Sequence, residues 1–255
     1  MKSRLNSGIL ACALLLSVVG CDGTSGPAKT LKRNGGARIT LHAACFPDQS
    51  SCDPNARLSS AVGVLVRRAS AAGYRDVVVS KGSEAQTIIV EAPGVDDGQQ
   101  LVPLLTSHGQ LFFIDTGGQS VIVGKDVTDN ICLDRCTPGQ YQVVFRGEDL
   151  DTNSVSAGLD SNTQQPVVTF QFKGDAQKRF ADYTAANIGN YLTITLDNKV
   201  IESAVIQSQI TGPGQISGSL TQGQATALAA QLTSGELPLM MTLVSVEQEA
   251  PAATK

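Results

Sequence analysis

The stretch DPNARLSSAVGVLVRRASAAG (residues 53–73), preceded by the alternating ARITLHA (37–43), decides the fold class. Asp53 followed by Pro54 reads as a helix start, because aspartate is a favoured N-cap and proline's missing N–H is harmless in the first turn. Leu58, Ala61, Val62, Leu65, Val66 and Ala69 recur at helical spacing and predict one buried face. Gly73 is placed to end that helix. ARITLHA instead alternates with period two and carries branched residues, which predicts a strand with one buried face.

Working outward, Asp76–Ser80 and Thr87–Ala92 predict two strands joined by a polar turn at Gly82-Ser83. Gln99–Ser107 predicts a short helix with Leu101, Leu104 and Leu105 on one side, and Gln110–Asp115 another strand. The order strand, helix, strand, strand, helix, strand predicts a ferredoxin-like base over residues 35–115, with both helices on one face of the sheet. Residues 116–146, with Gly117-Gly118, a cysteine pair and Pro138-Gly139, predict a connector carrying short strands at Val121–Val123 and Gln142–Phe145.

A second small unit, a head at 147–235, follows. It has a strand at Val167–Phe172 and a helix from Asp175 to Ile188 with Phe180 and Tyr183 inward. Tyr191–Leu196 and Val200–Ile206 form a hairpin across Asp197-Asn198-Lys199, and Gln215–Leu220 continues the sheet. Thr221 with Gln224 opens a last helix whose stripe is Ala225, Leu228, Ala229 and Leu232 and which stops near Gly235. Residues 236–255 supply a return strand (239–246) and a tail. The expected fold is α+β in two units, with no transmembrane helix in the mature chain.

The first twenty residues read as a signal peptide: Lys2 and Arg4, an apolar Gly8–Val19, then Val18-Val19-Gly20-Cys21. That ending resembles a bacterial lipobox with Cys21 as the lipidated residue, the alternative being an ordinary cleavage near Gly20. Residues 21–34 would be a polar tether, and the location extracytoplasmic and lipid-anchored to membrane.

Cys12 would leave with the signal. Cys45, Cys52, Cys132 and Cys136 remain, an even number that allows three disulfide pairings. The local pairs Cys45–Cys52 and Cys132–Cys136 are favoured, with a four-thiolate zinc site as the rival.

A net charge of -4 argues against the basic face of a nucleic-acid binder. Residues suited to catalysis are sparse. His42 and His108 have no nucleophile paired with them in the sequence. Gly212 to Gly218 is glycine-rich but leads into a strand, where a dinucleotide site needs a helix. Asp96-Asp97 and Glu148-Asp149-Asp151 read as turn and helix-start residues rather than calcium ligands. No enzyme activity, cofactor or metal is expected.

Beside this reading stands a resemblance. Pro166–Phe172 (PVVTFQF), Phe180–Thr184 (FADYT), Leu196–Ile201 (LDNKVI), Ile210-Thr211-Gly212, Gly214–Gly218 (GQISG) and Leu228–Leu232 (LAAQL) leading to Gly235-Glu236-Leu237-Pro238 are similar to the head of the SecD family. Gly35–Ile39, Val64–Arg68 with Ala72-Gly73, and Ile89–Val95 resemble the base of the same extracytoplasmic domain. The resemblance implies a non-catalytic module that holds or guides unfolded or translocating polypeptide during export, using exposed apolar surface between head and base, with Sec translocase components as partners. The alternative is an envelope structural lipoprotein docking on a membrane partner.

The chain departs from that family's pattern at Ser203-Ala204, where Ala-Pro is typical, and in the cysteine loop at 45–52. The family's charged membrane residues have no counterpart before Lys255, so a stand-alone lipoprotein without energy transduction is expected. The family's head is thought to swing on its base, and Gly139, Gly147 and Gly235 are the hinge positions this implies.

Overall fold

The computed structural model describes residues 31, 35–47, 49–218 and 220–251. The signal peptide and Cys21 lie outside them. The fold is α+β. Among the described residues no helix is long and apolar enough to cross a membrane.

The base forms around β1 (Gly36–Ala44), whose alternation buries Ile39, Leu41 and Ala43 and exposes His42. It pairs antiparallel with β3 (Thr87–Pro93) on one side and with the last strand on the other. β2 (Val78–Lys81) extends the sheet beyond β3. Helix α1 (Pro54–Ala71) starts as its sequence dictates: Asp53 accepts a hydrogen bond from the Asn55 N–H at 3.0 Å, with proline in the first turn. Its buried face is rotated from the expected one. Val64 and Arg68 are buried and Val66 is exposed. A 3-10 turn (Gly98–Leu101) and the short α2 (Val102–Thr106) complete the first half.

β4 (Leu111–Asp115), expected as the fourth base strand, leaves the base. It is the middle strand of a five-stranded head sheet. The reason lies in its sequence: LFFI is apolar without alternation, so it needs cover on both faces. Leu111 and Phe113 face one core, Phe112 and Ile114 another. The place left open in the base is filled by β12 (Met240–Glu249), giving the order β12-β1-β3-β2.

The expected connector belongs to the head. β5 (Ile131–Cys132) and β6 (Tyr141–Arg146) join the sheet, while Val121–Val123 forms no strand. β9 (Tyr191–Leu196) and β10 (Lys199–Val205) make the hairpin, and the order is β10-β9-β4-β6-β5. Asp197 and Asn198 both have positive φ, as a two-residue turn with primed geometry requires. A second head sheet, β11-β8-β7, consists of β7 (Ser156–Leu159), β8 (Pro166–Phe170) and β11 (Gly214–Ile216). Helix α3 (Asp175–Ala186) packs beneath. Phe113, Phe145, Phe170, Phe172 and Phe180 share its core with tilted and edge-on ring contacts.

Helix α4 (Gln222–Ser234) ties the units together. Thr221 and Gln224 form the capping box that opens it. Ala225, Leu228, Ala229 and Leu232 belong to the head core, while Ala230 sits in the base core against α1.

Candidate functional site

A cleft of about 220 Å³ opens in the head where the two sheets present their edge strands β10 and β11. Its floor is Phe113, Phe170, Phe180, Leu192 and Ile194. One wall is Ala204 to Ile206. The opposite wall is Gly214 and Gln215. Gly214 is required by the close approach: a Cβ there would come within 2.9 Å of the Phe170 ring. The loop that closes one end is held from α3. The Gln177 side chain donates to Thr211 and Gly212 carbonyls at 3.2 Å each, and Thr184 Oγ1 accepts from the Ile210 N–H at 2.9 Å.

Glu202 is the one ionisable side chain in this lining. It arrives there through a β-bulge. The register of β10 against β9 slips between Val200 and Glu202, so Ile201 is the extra residue. Val200 lies in the small core behind the sheet, whereas Ile201 and Glu202 both turn to the cleft side. Strict alternation would have put Glu202 on the side of Val200, which is why sequence reading missed it. Its carboxylate accepts from Ser217 Oγ at 2.8 Å and from the Ser217 N–H at 3.2 Å. Burial pushes its pKa above the usual carboxylate value, against the two Ser217 bonds that pull it down.

The apolar surface expected between head and base is not what that interface offers. The hollow there, about 580 Å³, is polar and lined by Glu148, Asp151, Lys173 and Glu236 among others. Above it lies a saturated polar junction. Arg68 is fully buried on α1. It donates to Leu104, Ser107, His108 and Gly235 carbonyls and to Ser234 Oγ at 2.6–3.3 Å, so both chain crossings converge on one guanidinium. Burial lowers its pKa to about 10, with Asp197 partly offsetting, so it stays charged at neutral pH. Asp197, at the tip of the head hairpin, accepts from Ser107 Oγ at 2.6 Å and from the Gly109 and Gln110 N–H groups at 2.8 and 2.9 Å. Gly109 has positive φ, and a Cβ there would meet the Arg68 guanidinium at 2.8 Å.

This corrects the position of the first crossing. The chain passes from base to head at Ser107–Gln110, not near Gly139–Gly147, because β4 belongs to the head. Gly139 lies in an outer turn after Thr137, and Gly147 packs on Leu111. Gly235 does lie at the return crossing, with its carbonyl held by Arg68 at 2.9 Å.

The cysteines are joined locally: Cys45 to Cys52, with Cα atoms 5.9 Å apart, and Cys132 to Cys136, 5.3 Å apart. The first bridge closes the loop between β1 and α1, where Phe46 stacks on His108 at 4.1 Å. His108 also faces Glu236 at 3.7 Å. Asp97 caps the 3-10 turn, and Asp151 braces a turn rather than a helix.

The SecDF P1 head subdomain family matches residues 117–239, which takes in the segment expected as a connector. The protein translocase subunit SecD of Acidaminococcus fermentans is 31% identical over 244 residues, covering 95% of this chain and 52% of that protein. SecD of Aquifex aeolicus is 40% identical over 112 residues, covering 44% of this chain and 22% of that one. The chain thus spans about half the length of these relatives or less. A crystal structure of SecDF in a super-membrane-facing form matches with TM-score 0.64 at 26% identity, over 86% of this chain and 31% of that chain. A second structure, of a membrane component SecDF that enhances protein export, matches with TM-score 0.59 at 25% identity, over 82% of this chain and 98% of that one. The chain thus carries a SecD-family domain, its head matched by the family model and 95% of its length by one SecD relative.

Proposed function

We propose that this chain serves protein export as a non-catalytic module on the extracytoplasmic side, holding extended polypeptide in the head cleft. The observation that carries the reading is an apolar floor between two edge strands, β10 and β11. An extended segment can seat one side chain on the phenylalanines while its backbone meets a strand edge. Burying one Leu or Phe contributes roughly 1.5–3 kcal/mol, so the hold is weak and release needs no chemistry. The SecDF relative described as enhancing protein export supports the same reading.

The test is a fluorescence titration of the purified protein with an unfolded polypeptide. Saturable binding is expected, and Ala204→Phe, which fills the cleft, should abolish it. Binding that ignores Ala204→Phe would remove the cleft from the account.

Docking on a membrane partner is the second reading. Ile122, Val123 and Leu133, each exposed on the 116–136 segment, favour it. Deleting the gene and measuring secretion separates the two, since only the first requires an export defect. Anchoring through Cys21 is part of either reading. Cys21→Ser should abolish lipid labelling and release the protein from membranes; unchanged membrane fractionation would reject the anchor.

A further inference from the structure

Glu202 brings a negative charge to an otherwise uncharged cleft, and among the described residues its one hydrogen-bond partner is Ser217. Each carboxylate oxygen takes a single bond from Ser217. An ionised carboxylate offers about four acceptor sites, so roughly half remain for a ligand. Among the described residues no lysine or arginine forms an ion pair with it. A desolvated carboxylate facing an apolar wall is a costly arrangement that a cationic ligand would relieve. Arg68 shows how this same molecule treats a buried charge whose role is structural: it surrounds it with acceptors on every side.

A bulge at Ile201 sets the direction of this carboxylate. It is the local irregularity that turns Glu202 from the rear of the sheet into the cleft, beside Ala204 and opposite Gly214–Gln215. Bulges re-aim single side chains in this way.

We propose that the cleft reads polypeptide in two parts: an apolar side chain on the phenylalanine floor, and a lysine or arginine that pairs with Glu202. In an extended peptide, side chains of one face are two residues apart, so the cation belongs two places from the apolar anchor. This rests on the holding function proposed above and names the segments that function would favour: apolar stretches flanked by positive charge, over those flanked by negative charge.

The experiment uses short unstructured peptides with a central leucine and, two places away, lysine, alanine or glutamate, titrated against the protein and against Glu202→Gln. The variant keeps the shape and an acceptor for Ser217. Lysine should bind about tenfold tighter than glutamate, as expected for one charge-assisted contact, with alanine between. In Glu202→Gln the three affinities should converge to within about twofold. If Glu202 only braces Ser217, the variant will lose thermal stability while the ranking is absent or survives unchanged, and the proposal falls. Equal binding of all three peptides to the parent protein overturns the charge reading and leaves the holding function standing. Binding of none overturns both.

Discussion

Two charges drawn in from the surface of this molecule, Arg68 fully buried and Glu202 half-buried, are treated in opposite ways. Arg68, where base meets head, has five hydrogen bonds to fixed acceptors from two segments of chain. Glu202, in the head cleft, has two bonds to a single neighbour. The first pattern is how a fold stabilises a junction: every donor is used and nothing is left to offer. The second leaves acceptor capacity beside apolar surface. The contrast separates the part of the molecule that holds shape from the part available to a ligand. It also explains why the hollow at the junction, though roomier, is the weaker candidate for an apolar segment.

The largest effect expected from this contrast is at Arg68. Arg68→Met removes the guanidinium from its five acceptors and should destabilise the protein by about 3 kcal/mol or more. Urea unfolding would show it, and a loss below about 1 kcal/mol would mean the junction does not depend on Arg68. Asp197→Ala orphans Ser107, Gly109 and Gln110 donors and should cost about 2 kcal/mol by the same measurement. Replacing Cys45 and Cys52 together by serine should cost about 2 kcal/mol for so short a loop. Non-reducing peptide mapping checks the connectivity itself: recovery of free thiols or of a cross-pairing would contradict the structure.

The smallest effect concerns pH. Burial raises the Glu202 pKa, so the folded state holds that proton more tightly than the unfolded one. This group's contribution is therefore greatest below the ordinary carboxylate pKa and falls as pH rises through the raised value. Glu202→Gln should remove that decline, so the difference in urea midpoint between variant and parent grows across the window. A constant difference would mean that Glu202 titrates normally.

Much of this architecture was legible in the sequence. Alternation in ARITLHA, the Asp53-Pro54 start and the Thr221/Gln224 box each act through local geometry, and each element formed where its pattern placed it. The exceptions have physical causes. Arg68 was absent from the expected buried face because a charge on a helix is usually outside; its acceptors come from residues 104–108 and 234–235, far away in sequence. β7, with the sequence SAGL, carries too little branched or aromatic surface to announce a strand and forms because β8 and α4 cover it. LFFI did announce two-sided burial, which the one-sided base sheet could not provide. Glu202 needed the bulge at Ile201, a property of pairing rather than of residue pattern.

The account's central claim is that polypeptide is held in the head cleft and not in the hollow beneath it. A photo-crosslinking residue placed at Ala204, in the cleft wall, and separately at Thr152, in the junction hollow, tests it directly in the presence of an unfolded client. The account predicts crosslinks from position 204 that an excess of a leucine–lysine peptide suppresses, and background labelling from position 152. Crosslinks from 152 alone, or equal and uncompeted labelling from both, would contradict it.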